Sequence, residues 1–361
     1  MKKIFIKYIA IIVLLGFVKS LYAQDPLFSS YYENPLYYNP AAPGLISGNK
    51  FVLNYREQWP GIPASNRIFN YSSMHNFCGF LSLGVLANSN VEGESRLITN
   101  NIGLAIAVPV NITKRILIST GITTSYGQKR IDWSKVEFDD QFDKLYGKIY
   151  NTQFPFPDDD RKNYGDLSIG FALKGIFYKS RKYILSGILG VGFNHAVVFP
   201  NPNFIGTEIN AVPFKQTYHM DIWLMRRKRN ADGFALASIY ERQGQIETFN
   251  VTFRYLIKSL YLLTGFRNKN YSLSFKTYDS FMLGFGYIFK DRQTRKTVKF
   301  GYSYDFTLSQ LMGGSYGSHE LYIVYTLPKC NNLSTKRRSK RYFKNECKEM
   351  EFNPGGLFLR R

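Results

Sequence analysis

Segments in which apolar residues alternate with small or polar ones follow one another from residue 51 to about residue 327. The segment 98–108 is a clear example, because isoleucine, leucine and valine occupy one face while threonine, asparagine, glycine and alanine occupy the other. Alternation with period two predicts β-strands. Small residues on the second face, with Gly and Ala recurring inside strands, indicate a lumen or a strongly bent closed wall rather than a dry core.

The pattern predicts an all-β chain of fourteen strands. They are 51–57, 67–74, 79–88, 97–109, 114–127, 165–178, 181–195, 215–226, 233–242, 246–257, 260–267, 280–290, 297–307 and 318–327. After the first 23 residues, no run approaches the roughly 20 apolar residues of a membrane helix. A protein with several helical spans is therefore excluded.

The predicted connections alternate in length. The long ones are 58–66, 89–96, 128–164, 196–214, 268–279 and 308–317, with a short exception near 242–245, and the tight ones are 75–78, 110–113, 179–180, 227–232, 258–259 and 291–296. This alternation is typical of an outer-membrane barrel with short periplasmic turns and long external loops. We therefore expect a transmembrane antiparallel β-barrel over 51–327, with both of its ends in the periplasm.

Residues 1–23 have the features of a secretory signal peptide. Lys2, Lys3 and Lys7 are followed by an apolar run over 9–18, and Leu21-Tyr22-Ala23 is a plausible cleavage site. An exported protein cleaved near Ala23 and folded as a barrel is expected in the bacterial outer membrane. Of the three cysteines, Cys330 and Cys347 are the two that could pair.

The formal net charge of +21 is unevenly placed, because residues 1–23 carry +4 and the tail 328–361 carries +7. Nucleic acid is an improbable partner for an exported chain, so we expect outer-membrane lipid headgroups or an acidic protein to meet these charges. Basic residues also crowd the tight turns, where ordinary solvated turns explain them as well as docking does. The candidate partner-binding residues are Lys179, Arg181, Lys182, Arg226, Arg227, Lys228 and Arg229.

Three short stretches stand apart from the strand pattern. The segment 24–44 reads QDPLFSSYYENPLYYNPAAPG, and its two Asn-Pro steps favour turns over a central strand. The second stretch, 54–60, reads NYREQWP, and the third, 315–325, reads SYGSHELYIVY.

Together these stretches resemble the PorP/SprF family of outer-membrane proteins, which is tied to type IX secretion and gliding motility in Bacteroidetes. The resemblance implies an outer-membrane barrel without catalytic activity that works with periplasmic secretion or motility proteins and with secreted surface cargo. The residues that carry the family motifs are Asn34, Pro35, Asn39, Pro40, Tyr55, Arg56, Gln58, Trp59, Pro60, Ser318, His319 and Glu320. Pro43 and the long basic tail depart from the family pattern.

No constellation in the sequence predicts catalysis, a cofactor or a metal site. The four histidines, His75, His195, His219 and His319, have no zinc-ligand spacing, and nothing in the sequence pairs with His195. The acidic sets within 139–143 and 158–160 could bind calcium in an external loop, but solvated loop charge is the simpler interpretation. We therefore expect a protein that is not an enzyme.

Three hypotheses follow for the function. The first is a secretion-associated barrel that docks protein partners. The second is a transport channel for small or hydrophobic solutes, with residues 24–50 as a plug or at the periplasmic mouth and Tyr31, Tyr32, Tyr37 and Tyr38 packing into the lumen. The third is an outer-membrane enzyme, which the sequence favours least.

Overall fold

The computed structural model describes residues 25–63, 65–77, 79–93, 96–143, 145–156, 160–200, 212–226, 232–269, 278–291, 294, 296–308 and 313–327. In chain order its strands are β1 (Asn49–Gln58), β2 (Asn66–Phe77), β3 (Leu81–Glu92), β4 (Leu97–Asn111), β5 (Ile116–Arg130), β6 (Phe142–Asp143), β7 (Gly147–Lys148), β8 (Arg161–Lys179), β9 (Tyr183–Phe199), β10 (Lys215–Arg226), β11 (Gly233–Gln243), β12 (Ile246–Ile257), β13 (Leu260–Asn268), β14 (Tyr278–Lys290), β15 (Thr297–Thr307) and β16 (Ser318–Leu327). Strands β6 and β7 form a separate hairpin, and the other fourteen form one closed antiparallel barrel.

The barrel closes where β1 pairs with β16, from Asn49 opposite Leu327 to Gln58 opposite Ser318. The fourteen-stranded, all-β fold class predicted from the alternation is thereby confirmed. Short 3-10 helices occur at Pro35–Tyr37, Ala42–Leu45, Trp133–Lys135 and Asp139–Gln141. Among the described residues, no helix has the length and apolar character needed to cross a membrane.

The wall carries its large apolar residues on the outer face, which is the reverse of the arrangement in a soluble protein. In β4, Ile102, Leu104 and Ile106 point outward with more than half of each side chain exposed, while Ala105 and Ala107 are buried on the inner face. Apolar residues outside and small or polar residues inside suit a wall that faces lipid on one side. Because the barrel is closed, each of its fourteen strands has a hydrogen-bonding neighbour on both sides, as a bilayer requires.

The two ends of the barrel differ in their connections. At one end lie 112–115, 180–182 and 258–259, together with the start of β1 and the end of β16. We call this the short-turn end. The opposite, long-loop end carries 131–160, 200–214 and 308–317, along with the two-residue connection 244–245. The predicted alternation of length is present only in part, because β3 extends to Glu92 and the connection predicted as long over 89–96 is reduced to 93–96, as short as 112–115. Which end faces the periplasm remains a prediction.

Several strand bounds differ from the sequence prediction; β3, for example, runs from Leu81 to Glu92 where 79–88 was expected. The connection predicted over 128–164 contains the β6–β7 hairpin, whose two-residue strands are too short to show a period. In addition, β8 begins at Arg161 and β9 extends to Phe199, past the predicted limits of 165 and 195. The pairing of β8 with β9 shifts register between Leu167 and Ile169, which marks a bulge.

Candidate functional site

The inside of the barrel is occupied by the chain's own residues 25–48, which we call the lumen segment. Asp25 lies at the long-loop end, beside the end of β11 and the start of β10, while Gly48 lies at the short-turn end beside β2. The segment therefore crosses the lumen before β1 begins. Most of its residues are buried, including Phe28, Tyr31 and Tyr38.

Aromatic rings pack against one another within the lumen segment. Tyr37 contacts Phe28 and Tyr38 edge to face, with ring centroids 5.2 and 4.8 Å apart, and Tyr31 contacts Tyr32 in the same way at 5.5 Å. The hydroxyl of Tyr38 accepts a hydrogen bond from the backbone N–H of Phe28 at 3.0 Å. These contacts order a segment whose only regular structure is two short 3-10 helices.

The two Asn-Pro steps attach the lumen segment to different parts of the wall. Asn34 precedes the first 3-10 helix, and its side chain donates to Asn70 at 2.5 Å and accepts from the hydroxyl of Ser72 at 2.6 Å, both on β2. Asn39 donates to the carbonyl oxygen of Phe171 on β8 at 3.0 Å, and its amide nitrogen lies 2.9 Å from Nε2 of His219 on β10. Buried polar groups of this kind need partners, so the asparagines fix the path of the segment.

Small residues in the wall make room for this path. At Gly121 and Gly192, a Cβ atom would overlap the carbonyl oxygens of Pro40 and Tyr38, respectively. A Cβ at Gly170 would meet the side chain of Asn39. The recurrence of glycine on the inner face therefore reflects close approach of the lumen segment to the strands.

The first charged cluster in the lumen contains Arg56, Glu320 and Asp305. Arg56 is wholly buried, with Nη2 2.7 Å from Asp305 Oδ2 and Nη1 3.3 Å from Glu320 Oε2. Arg267 adds a second guanidinium, with Nη1 3.4 Å from the same Asp305 oxygen. Two arginines and two carboxylates thus balance their charges in a buried site, which is the condition for keeping such groups out of water.

The lumen segment is part of this cluster. The backbone N–H groups of Ser29 and Ser30 donate to the two carboxylate oxygens of Glu320, at 2.6 and 3.0 Å, and the Ser30 hydroxyl donates to the same carboxylate. The Ser29 hydroxyl donates to Asp305 and accepts from Arg56 at 2.7 Å. The three sequence stretches singled out above, around 24–44, 54–60 and 315–325, therefore meet at one place.

The remaining family-motif residues flank this meeting point. Tyr55 faces outward, Gln58 pairs with Ser318 across the seam, and the N–H of Trp59 donates to the carbonyl oxygen of Gly317 at 2.8 Å. Pro60 is exposed just beyond β1. His319 points away from Glu320, with Nδ1 2.8 Å from the hydroxyl of Tyr302, so the two neighbours do not form an acid–base pair.

The second charged cluster surrounds Asp25 at the long-loop end. His195 lies between two carboxylates, with Nε2 2.9 Å from Asp25 Oδ2 and Nδ1 2.8 Å from Asp166 Oδ2. Lys215 Nζ lies 3.4 Å from Asp25 and 2.8 Å from Glu241. The start of the lumen segment is thus held by side chains of β9 and β10.

Sequence reasoning missed this cluster because strict alternation does not predict the direction of His195. The inner-facing residues of β9 include Asn194, so alternation would turn its neighbour His195 outward. His195 instead has a φ of 57° beside the register shift between β8 and β9, which turns its ring toward the lumen. A bulge of this kind re-aims a side chain, and no residue type in the sequence signals it.

A third group of charges lies on the inner face of β10, β12 and β15. Arg254 is paired with Asp221, and its guanidinium lies between the rings of Tyr32 and Trp223, at 3.7 and 4.2 Å from their centroids. Lys299 pairs with Glu33 of the lumen segment. Tyr32 and Glu33 thus attach the middle of the lumen segment to β12 and β15.

Four of the seven candidate partner-binding residues are described by the structure, and they are exposed at the short-turn end. Lys179, Arg181 and Lys182 are exposed around the β8–β9 turn, and Arg226 is exposed at the end of β10. The β8–β9 turn and the end of β10 are adjacent, because Arg226 pairs with Tyr183 at the start of β9. Arg227, Lys228 and Arg229 lie outside the described residues. In the part of the chain that the structure describes, no three His, Cys, Asp or Glu residues are grouped to hold a metal ion.

A closed barrel with an apolar outer face and a polar, filled lumen defines a membrane protein of the outer-membrane barrel class. The chain belongs to the type IX secretion system membrane protein PorP/SprF family, whose model matches residues 20–325. The family resemblance read from the three sequence stretches is thereby confirmed. The family is described as a secretion-system membrane protein and not as an enzyme class.

No protein among the curated ones matches the sequence. Solved structures with a similar barrel include the toluene transporter TbuX of Ralstonia pickettii (TM-score 0.41, 10% identity, 84% of this chain and 94% of that chain). Others are CdiB from Acinetobacter baumannii (0.40, 8%, 78% and 60%) and a FadL homologue of Pseudomonas aeruginosa (0.37, 12%, 83% and 93%). Similarity at this level carries no function over to this chain.

Proposed function

We propose that the protein is a non-enzymatic outer-membrane component that works with the type IX secretion and gliding machinery. In this proposal residues 1–23 are a signal peptide cleaved near Ala23, and the short-turn end and the basic tail 328–361 face the periplasm. That end docks periplasmic secretion or motility proteins. The long-loop end faces the exterior, where it helps deliver or anchor secreted surface proteins.

The observation that carries the proposal is the occupied lumen. Residues 25–48 are held inside by three charged clusters and by two asparagines bonded to different strands. A solute channel would have to release this segment at the cost of exposing buried charges such as Arg56 and Asp305. The filled lumen therefore favours docking at the barrel's ends over the alternative of solute transport through it.

The exposed cations at the short-turn end support docking of an acidic partner there. Single exposed ion pairs contribute only about 0–1 kcal/mol. Several on one rigid face, such as Lys179, Arg181, Lys182 and Arg226, would together set orientation and association rate, with a marked salt dependence. Lipid headgroups with phosphate groups compete for the same charges.

The test is reversal of these four residues to Glu, after normal barrel assembly has been checked by heat modifiability. Co-purification with periplasmic secretion or motility proteins from native envelopes should be lost, and wild-type co-purification should weaken as salt rises. The matched control reverses four exposed arginines of the long-loop end, namely Arg67, Arg130, Arg161 and Arg242. Co-purification that persists in the first variant at every salt concentration would contradict docking at this face. The basic residues would then bind lipid headgroups instead.

The proposal that the protein is not an enzyme is supported by the pairing of His195 with carboxylates. Both ring nitrogens of His195 are engaged by carboxylates, one of which belongs to the lumen segment. The purified barrel should show no turnover of lipids or peptides. Turnover that disappears in a His195→Gln variant would contradict this part of the proposal.

A further inference from the structure

The connection between β5 and β8 is a folded unit rather than a simple loop. Phe138 stacks on Phe154 with ring centroids 4.6 Å apart, and Trp133 and Phe156 pack around this pair at 5.8–6.0 Å. The base of the unit is tied to the barrel by the N–H of Ile131, which donates to the carbonyl oxygen of Asp160 at 3.1 Å. This aromatic cluster gives the connection a small core of its own.

The β6–β7 hairpin projects from this unit, and its turn is built to hold a defined shape. The carboxylate of Asp143 accepts from the backbone N–H groups of Leu145 and Tyr146, at 2.8 and 3.1 Å, and Gly147 has a φ of 74°. On the other side, Asp140 accepts from Thr152 and from the N–H of Gln153 at 2.9 and 2.7 Å. These bonds hold the backbone at Leu145 and Tyr146 and, beyond the hairpin, at Gln153.

The two residues of the turn that the structure describes between Asp143 and Gly147 are apolar. Leu145 is 86% exposed and Tyr146 77% exposed, and Ile149 and Tyr150 follow with more than half of each side chain exposed. These four residues form what we call the hairpin patch. Large apolar side chains that are grouped and held out into solvent mark an interaction surface more often than an ordinary surface.

The charge around the hairpin patch is acidic, in contrast to the rest of the chain. Residues 131–160 contain eight Asp and Glu against three Lys, whereas the whole chain has a formal net charge of +21. Asp132 and Glu137 are paired with lysines of the same unit, and Asp160 is paired with Arg130 and Arg161 at its base. Asp143 holds the turn, and Asp140 holds the chain at Thr152 and Gln153. Asp139 is exposed at the start of the 3-10 helix that leads directly into β6.

We infer that the hairpin patch binds a polypeptide segment in which apolar side chains are flanked by lysine or arginine. The apolar side chains would cover Leu145 and Tyr146, and the basic ones would meet Asp139 and the neighbouring carboxylates. Charge complementarity decides against the phosphate-bearing lipids of an outer leaflet, which the acidic unit repels. The inference deepens the proposed function, since it rests on the long-loop end facing the exterior and gives the chemistry of the surface-delivered partner.

The test places a photo-crosslinking phenylalanine at Tyr146 in the full chain in native cells and sequences the crosslinked peptide. The expected product is a segment of an exported protein that has net positive charge and apolar side chains. The matched control carries the same group at Phe253, which is 53% exposed on the outer face of β12 and should crosslink lipid. Products at Tyr146 that are lipid, a second copy of this chain or a peptide without net positive charge would overturn the inference.

Two further variants separate the apolar and electrostatic contributions. Leu145→Ser should reduce the crosslink yield at position 146 about tenfold, as loss of a central apolar contact does. Asp139→Lys should reduce it too, and high salt should weaken the wild-type crosslink in the same direction. Trp133 fluorescence and heat modifiability confirm that the unit and the barrel remain folded, and unchanged yields in both variants would overturn the inference.

A separate measurement distinguishes this inference from the proposed orientation. A cysteine at Leu145 should react with a membrane-impermeant reagent on intact cells. If it does not react, the orientation in the proposed function is wrong. If it reacts but Tyr146 yields no peptide crosslink, the orientation stands and the inference fails.

Discussion

Arg56 and Glu320 face each other directly across the seam between the first and last strands, and both side chains are wholly buried. Arg56 also holds Asp305 on β15, while Glu320 receives the backbone N–H groups of Ser29 and Ser30. One pair thus joins three tasks: closing the barrel, balancing charge in the lumen and anchoring the lumen segment. Closure and filling of the barrel are therefore coupled.

The first prediction concerns this pair. Arg56→Met should destabilise the folded barrel by about 3–5 kcal/mol, because it leaves buried carboxylates without their cation. The measurement is the urea dependence of the heat-modifiable gel shift. The control is Arg67→Met, which breaks the exposed Arg67–Glu57 pair of 3.0 Å and should cost less than about 1 kcal/mol. Equal losses in the two variants would contradict the importance of the seam pair.

The second prediction concerns the glycines that face the lumen segment. Gly192→Ala should destabilise the barrel by about 1–3 kcal/mol, because the new methyl group overlaps the carbonyl oxygen of Tyr38. Gly165→Ala, on the neighbouring strand β8, places its methyl in ordinary contact at 3.4 Å and should change little. The same urea titration compares the two. If Gly192→Ala matches Gly165→Ala in stability, the lumen segment does not pack as closely as described.

The third prediction concerns orientation in the membrane. With the native cysteines replaced by Ser, a Tyr150→Cys variant should react with an impermeant reagent on intact cells, since Tyr150 is exposed on the long-loop end. Lys182→Cys at the short-turn end should react only after the outer membrane is permeabilised. The reverse pattern would show that the short turns face the exterior.

The fold was predictable to a large extent, and its interior was not. Period-two alternation locates a strand in a lipid-facing wall because every second residue must be apolar. The lumen contacts instead join residues far apart in sequence, as Arg56 and Asp305 are, and depend on the register of distant strands. The sequence identified Arg56 and Glu320 only as residues of two separate family motifs, and it did not indicate that they meet.

The contacts of His195 and of the lumen segment could not be predicted from the sequence either, for two different reasons. The bulge that turns His195 inward breaks the alternation on which its expected direction rests. The Asn-Pro steps indicated turns, but their partners, such as Asn70 and Phe171, could not be read from spacing. Close packing between a non-repetitive segment and a barrel wall leaves no period in the sequence.

The last prediction tests whether the lumen segment closes the barrel. Removal of residues 26–47, which joins Asp25 to Gly48, should convert the purified protein into a conducting pore in planar lipid bilayers, because the polar inner wall would become hydrated. The intact chain should conduct far less. A variant with Tyr31, Tyr37 and Tyr38 replaced by Ser should lie between them, since these rings contribute most of the aromatic packing inside. Heat modifiability must first show that each variant still folds. Equal conductance of the intact and shortened chains would mean that the segment does not seal the lumen, and would favour solute transport over docking.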